Sequence, residues 1–329
     1  MYLPALMSVL LSAPAAAPLC PAPPGGATLA CVATAEGWFY AADEDSARQA
    51  AGHTATAISA FQRHFSAEVP FGAVILSAAL PPQARDAFHS GHALPWVRVW
   101  ASPAEKSTLL RETLRRTRPE LTAAAVEQLV SRATLSTGDV LPHEIGHSLY
   151  QARFWPGQTA DGSLHYATPA PDWLDEAAAI LMEPSPMLAE RRQQYRALLS
   201  APSPLVQDLP GFLQAPHPMD AARRAALSGN GSSSASGLTV MMARGDTGAA
   251  LAAFYQQSLA LADFLIERSG RADVLGQISL ALANGQSFDD WLAQSGPPLQ
   301  LGSDVATLTQ HWQAWVNALT LPTQQAPAE

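Results

Sequence analysis

The chain has 329 residues, of which 48% are hydrophobic and 14% are charged. A chain of this length and apolar content can bury a sizeable core as one large domain or two small ones, which excludes disorder throughout. Its formal net charge of −9 argues against a nucleic acid as the partner, because a phosphate backbone is bound by clusters of Lys and Arg.

The N-terminal segment is predicted to be a signal peptide over residues 1–17. No charged side chain occurs before Glu36, and a short apolar run is followed by Ala15 and Ala17, spaced as in an A-x-A cleavage site. The run is too short and too interrupted by proline to form a stable membrane span, although no Lys or Arg precedes it. We therefore expect an exported protein, periplasmic or secreted; the alternative is an Ala- and Pro-rich tail.

Residues 18–35 are predicted to be a flexible leader, because "PAPPGG" at 21–26 is rich in Pro and Gly. The only two cysteines of the chain, Cys20 and Cys31, lie within it. In an oxidising compartment they can form a disulfide, which fits export; two free or buried thiols are the alternative.

The folded part is predicted to begin with strands and helices in mixed order. Strands are expected at 37–42, 71–78 and 95–102, helices at 45–65 and 119–133, and a loop or short helix at 81–93. Helices alone are expected in the C-terminal half, at 171–182, 187–200, 247–270, 273–296 and 304–319, with a mobile Ser-rich loop at 228–237. This order predicts an α+β fold with an N-terminal α/β part over 36–135, a helical part over 136–320 and a tail over 321–329.

The stretch "HEIGH" is the strongest chemical signal in the sequence. His143 and His147 are four residues apart, so on a helix both imidazoles lie on one face and can bind the same ion. Glu144 lies one position round the helix and can act as the general base that takes a proton from a zinc-activated water. The alternative is a pair of helix-surface histidines that contact nearby carboxylates.

A catalytic zinc site needs a third protein ligand and an open fourth position. The metzincin class would place a glycine at 150 and a histidine at 153, but the chain has Tyr150 and Arg153 there, which excludes that class. The segment "DWLDEAAAI" offers three carboxylates instead, those of Asp172, Asp175 and Glu176.

The residues Trp173, Leu174, Asp175 and Glu176 form a W-L-x-E pattern after the HExxH motif. This combination resembles the gluzincins, the peptidase MA-like zinc metallopeptidases. Further similarity in "FYQQSLALADFLIERSG" and in the C-terminal helices extends the resemblance over about residues 139–316. It implies a zincin-like fold, a Zn²⁺ cofactor held by His143, His147 and Glu176, and hydrolysis of a peptide or protein substrate.

For several residues near this motif the sequence allows two interpretations. Asp175 is the main competitor of Glu176 as a ligand, while Asp172 and Asp175 can also be charges at a helix start or partners that orient a histidine. Glu183 is expected at the surface. Tyr255 can stabilise the oxyanion of a tetrahedral intermediate or be a core aromatic residue, and His165 can serve the same role or lie in solvent.

Two functions of other classes remain beside the peptidase. One is a zinc-holding binding or scaffold domain without turnover, which the intact Glu144 disfavours because zinc binding alone does not need it. The other is a zinc amidase acting on a non-protein bond such as one in the cell wall. No substrate-amine motif of the G-x-M-E-N kind occurs in the chain, so recognition of a free N-terminus is not expected.

Overall fold

The structure is a computed structural model of the chain. It describes residues 19–137, 140–157, 168–200, 203–219 and 246–320. The predicted signal peptide at 1–17, the Ser-rich loop at 228–237, the tail at 321–329 and His165 all lie outside the described residues.

A four-stranded sheet forms the first half of the fold. Its strands are β1 (Ala30–Ala33), β2 (Gly37–Ala41), β3 (Gly72–Leu76) and β4 (Trp96–Trp100), and they lie in the order β1-β2-β3-β4. β1 and β2 are antiparallel, whereas β3 runs parallel to both β2 and β4. Each parallel connection contains a helix, α1 (Glu44–His64) between β2 and β3 and α2 (Pro82–Gly91) between β3 and β4, as parallel pairing requires.

The two faces of the sheet pack into two different cores because side chains alternate along a strand. Tyr40 and Ile75 point into a small core with Phe88 of α2. Phe39 and Val74 point into the main core, which contains the apolar faces of α1 and of the later helices.

The described residues contain twelve α-helices. After α1 and α2 they are α3 (Pro103–Thr117), α4 (Ala123–Thr137), α5 (Val140–Phe154), α6 (Asp172–Ile180), α7 (Ser185–Leu199), α8 (Leu209–Leu213), α9 (Asp246–Ser269), α10 (Val274–Ala283), α11 (Phe288–Ser295) and α12 (Val305–Thr320). All strands precede α3, and the C-terminal part is helical. The α+β class predicted from the sequence is therefore confirmed.

The structure divides the helix expected over 273–296 into α10 and α11 and adds α8, which was not predicted. Two further differences concern the leader and α3. The last residues of the predicted flexible leader form β1, which pairs with β2 and is linked to the preceding segment by a Cys20–Cys31 disulfide. Helix α3 was not predicted, because its sequence is rich in charged residues and buries only Leu114 completely. It begins at a capping box in which Ser102 and Glu105 satisfy each other's backbone N–H groups.

Helices α5 and α6 approach each other closely at Gly146. A Cβ atom at this position would lie 2.7 Å from the Ala179 Cα and 2.9 Å from the Ala178 carbonyl oxygen. Only glycine fits between the two helices without displacing one of them. This contact brings the first turns of α6 next to the histidines of α5.

Helix α9 packs against α6 and α7. Within the described residues it is the single helix whose length and apolarity would allow it to cross a membrane, over Thr247–Ser269, but 61% of its most apolar window is buried inside the protein. Its apolar surface therefore contributes to the main core. The residue after the helix is Gly270, whose φ of +64° is the left-handed conformation that favours glycine at this position.

Candidate metal centre

Helix α5 carries the HExxH residues into the interior of the protein. His143, Glu144 and His147 are all buried. The alternative of two histidines on a helix surface is therefore wrong. The rings of His143 and His147 lie on the same face of the helix, with their centroids 4.9 Å apart. The four-residue spacing therefore places both imidazoles on one face of the helix, as predicted from the sequence.

A carboxylate holds each of these imidazoles at its Nδ1 atom. His143 Nδ1 lies 2.9 Å from Glu183 Oε1, and His147 Nδ1 lies 2.8 Å from Asp175 Oδ1. A carboxylate can only accept a hydrogen bond, so both Nδ1 atoms donate a proton. The Nε2 atoms then keep their lone pairs, which is the tautomer that binds a metal ion.

Glu176 of α6 completes a group of three ligand atoms. Its Oε2 atom lies 3.7 Å from His143 Nε2, and its Oε1 atom lies 3.8 Å from His147 Nε2. The three ligand atoms are all within 4.8 Å of one another. Two imidazoles and a carboxylate at this separation could hold one metal ion.

The surroundings of Glu176 fit a bound cation. The side chain is fully buried, and neither carboxylate oxygen receives a hydrogen bond of ordinary geometry from the residues described here. A buried carboxylate without such partners costs free energy unless a positive charge compensates it. A metal ion bound between Glu176 and the two histidines would supply that charge.

The same group shifts the pKa values of its members. Burial alone would raise the pKa of Glu176, but the contact with His217 and the electrostatic effect of His147 and His143 lower it to about 2. Burial would lower the pKa of His147, but the hydrogen bond and charge of Asp175, with the charges of Glu176 and Glu144, raise it. The carboxylates and imidazoles of this group therefore interact electrostatically with one another.

The structure corrects the expectation that Glu183 lies at the surface. Its side chain is buried, and besides His143 it accepts two hydrogen bonds of 2.6 Å from Arg191. Burial would raise the pKa of Glu183, but the hydrogen bonds from His143 and Arg191 lower it. The sequence carried one signal for this role, because Glu183 is a single carboxylate directly after the apolar run 177–182.

We predict that Glu183→Gln weakens metal binding by about 10- to 100-fold, the usual effect of losing a carboxylate that orients a metal-bound histidine. Glutamine keeps the shape of the side chain but loses the charge that fixes the His143 tautomer. The dissociation constant can be measured by competition with a chromophoric chelator. Glu190→Gln, an exposed change on α7, is the control, and equal affinities of the two variants would contradict the prediction.

Asp175 lies behind His147 and not among the three converging ligand atoms. Its second oxygen, Oδ2, accepts a hydrogen bond of 2.9 Å from Thr168. Of the two interpretations left by the sequence, the geometry favours Asp175 as the partner that orients His147. Asp172, the first residue of α6, accepts a 2.6 Å hydrogen bond from the backbone N–H of His217.

His217 belongs to the site, although nothing in its sequence context indicated this. Its side chain is buried, and its Nε2 atom lies 3.4 Å from Glu176 Oε1. The backbone N–H of Met219 donates to its Nδ1 atom over 3.2 Å, so in the neutral ring Nε2 carries the proton. His217 therefore presents an N–H group to the carboxylate of Glu176.

The carboxylate of Glu144 contacts the sheet. Its Oε2 atom lies 3.4 Å from Nη1 of Arg98 on β4, and Arg98 Nε donates to Ser148 Oγ over 2.9 Å. Trp96 faces the main core, and alternation along the strand places Arg98 on the same face. The basic residue that meets Glu144 was not predicted from the sequence.

Tyr255 of α9 lies beside the candidate ligands. Its ring centroid is 5.8 Å from that of His143 and 5.9 Å from that of His217, and the guanidinium carbon of Arg191 lies 5.3 Å from it. The side chain is partly buried and also packs against the main core. Its position is compatible with both interpretations, and its role in catalysis stays a prediction.

The fold and the site together define a protein with a buried His143, His147 and Glu176 group that could hold a metal ion. A comparison of the chain with protein-family models, curated proteins and solved structures found no match. The gluzincin resemblance consequently depends on the motif residues and on their arrangement in space.

Proposed function

We propose that the chain is a zinc-dependent metallopeptidase of the gluzincin kind with a zincin-like fold, which hydrolyses a bond in a peptide or protein substrate. The observation that carries this proposal is the convergence of His143, His147 and the buried carboxylate of Glu176, with Glu144 beside them. Two imidazoles and one carboxylate are the ligand set of catalytic zinc in many peptidases. A site of zinc alone would not need Glu144.

The residues of the chain have distinct roles in this proposal. Zinc in such a site acts as a Lewis acid that polarises a carbonyl group and makes water more acidic. Glu144 accepts the proton of the attacking water and passes it to the nitrogen of the leaving amine. Arg98 Nη1, 3.4 Å from Glu144 Oε2, contacts the carboxylate of the proposed general base.

Asp175 and Glu183 keep the two histidines in the metal-binding tautomer, and His217 orients Glu176. Tyr255 is proposed to donate a hydrogen bond to the oxyanion of the tetrahedral intermediate. We propose in addition that the protein is exported. The Cys20–Cys31 disulfide supports this, because disulfides persist in oxidising compartments.

The function can be tested by incubating the purified chain with a mixture of peptides and with cell-wall fragments, followed by mass spectrometry. We expect cleavage of peptides that stops when phenanthroline removes the metal and resumes when zinc is added. Cleavage that is insensitive to the chelator would contradict the proposal. Hydrolysis of cell-wall amides alone would favour the amidase, and the absence of any turnover in a zinc-loaded chain would favour the binding domain.

A further inference from the structure

Two basic side chains lie on the sheet side of Glu144. Arg98 projects from β4, with its side chain 16% exposed and its Nη1 atom 3.4 Å from Glu144 Oε2. Lys106 projects from α3, and its Nζ atom lies 4.3 Å from the ring centroid of Trp100. Lys106 is the single lysine of the whole chain.

Arg98 and Lys106 differ in the groups that interact with their positive charges. Arg98 interacts with Glu144 and donates to Ser148, so its position is fixed. Lys106 forms no hydrogen bond and no ion pair with the residues that the structure describes; its contact is with the Trp100 ring. An aromatic face attracts an ammonium group but does not accept hydrogen bonds as an anion does.

The carboxylate of the neighbouring residue Glu105 and that of Glu144, whose charge acts on Lys106, are already engaged. Glu105, the neighbour of Lys106, accepts backbone hydrogen bonds from Ala78 over 2.9 Å and from Ser102 over 2.7 Å. Glu144 acts on Lys106 through its charge but makes its short contact with Arg98. Lys106 is therefore a positive charge that no described carboxylate pairs with directly.

Burial makes this arrangement costly for the ammonium group. Loss of hydration lowers the pKa of Lys106 to about 8, and the charge of Glu144 offsets only part of that effect. A partly buried ammonium group gains free energy when an anion binds next to it. Arg98 and Trp100 are two residues apart on β4 and share a face of the sheet. An anion beside Lys106, which contacts the Trp100 ring, would therefore lie on the same side of the sheet as Arg98 and Glu144.

We propose that Lys106 and Arg98 form a cationic subsite that binds a carboxylate of the substrate next to the bond that is cleaved. This inference rests on the peptidase function proposed above and specifies its substrate class. The carboxylate belongs either to an Asp or Glu side chain or to the C-terminus of the peptide. Lys106 acts as a point charge and Arg98 as a fixed guanidinium group, so the subsite favours a carboxylate over a neutral amide of the same shape.

The unique lysine allows a direct binding test that does not depend on turnover. Zinc-loaded protein labelled with ¹³C-lysine gives one side-chain Cε signal, that of Lys106. The carboxylate probes are acetyl-glutamate amide, which carries a side-chain carboxylate, and acetyl-alanine, which carries a C-terminal carboxylate. Acetyl-glutamine amide is the neutral control, and all titrations are made at constant pH and ionic strength. We expect a saturable shift with one of the two carboxylates and none with the neutral probe, and the responding probe identifies the source.

A signal that stays unchanged with both carboxylates, or moves equally with the neutral probe, would overturn the subsite. Because the probes are read by NMR, this result is separate from the failure of the proposed peptidase function, which would appear as absent turnover of every peptide.

A kinetic test uses peptide pairs that differ only by Glu against Gln, or by a free against an amidated C-terminus. Lys106→Met should reduce the preference in kcat/KM for the carboxylate member by about 10-fold, since a hydrogen bond to a charged group contributes that much or more. Lys106→Arg, which keeps the charge, should restore most of the preference. Arg116→Met, which removes an exposed charge from α3, is the control, and an unchanged preference in Lys106→Met would contradict the inference.

Discussion

Glu144→Gln is expected to keep the metal and to lose peptide hydrolysis. Glutamine has the size of glutamate but cannot take a proton from water, so kcat should fall by at least the 10²- to 10⁴-fold that general acid–base catalysis contributes. The ligand group of His143, His147 and Glu176 does not include Glu144, so the metal content should match that of the wild type. The measurement is kcat on the best peptide found, together with elemental analysis of the same sample.

The control for this variant is Glu112→Gln, the same chemical change at an exposed position of α3. It should cleave peptides at the wild-type rate. A Glu144→Gln variant as active as the wild type would contradict the role of Glu144, and loss of the metal would instead place Glu144 among the ligands.

Glu176→Ala is expected to weaken zinc binding far more than Asp175→Ala. Glu176 places an oxygen within 3.8 Å of each histidine Nε2 atom, whereas Asp175 contacts His147 from behind. Loss of an orienting carboxylate costs about 10- to 100-fold in affinity, and loss of a ligand should exceed that range. Competition titrations of both variants against one chelator give the comparison.

The two variants control each other, because both remove a buried carboxylate from neighbouring positions of α6. The reverse order of affinities would assign the third ligand to Asp175. Equal, wild-type affinities would mean that neither carboxylate of α6 contributes to metal binding.

The metal-ligand residues of the candidate site could be predicted because short stretches of sequence indicate them. Residues four apart on a helix share a face, so His143 and His147 indicated a metal pair from spacing alone. Glu176 was indicated by the W-L-x-E resemblance, and the glycine at 146 lets α5 and α6 approach closely enough to bring it beside the histidines. The elements with a clear apolar pattern, such as the periodic α1, the continuous apolar run of β3 and the long apolar α9, were also predictable.

The supporting residues were not predictable in the same way, because they come from distant parts of the chain. Arg98 reaches Glu144 from β4, and His217 reaches Glu176 from the segment after α8. No spacing rule connects such positions before the fold is known. Glu183 was misjudged because a single carboxylate past a helix end is usually exposed, whereas here His143 and Arg191 compensate its burial.

The central claim is that His143, His147 and Glu176 bind zinc, and metal content tests it most directly. Wild-type protein, His147→Ala and the control His53→Ala, a change on α1, are purified without chelator or added zinc and examined by elemental analysis. We expect about one zinc per chain in the wild type and in His53→Ala, and almost none in His147→Ala. A folded wild type that contains no zinc and takes none up on titration would contradict the claim and, with it, the proposed peptidase function.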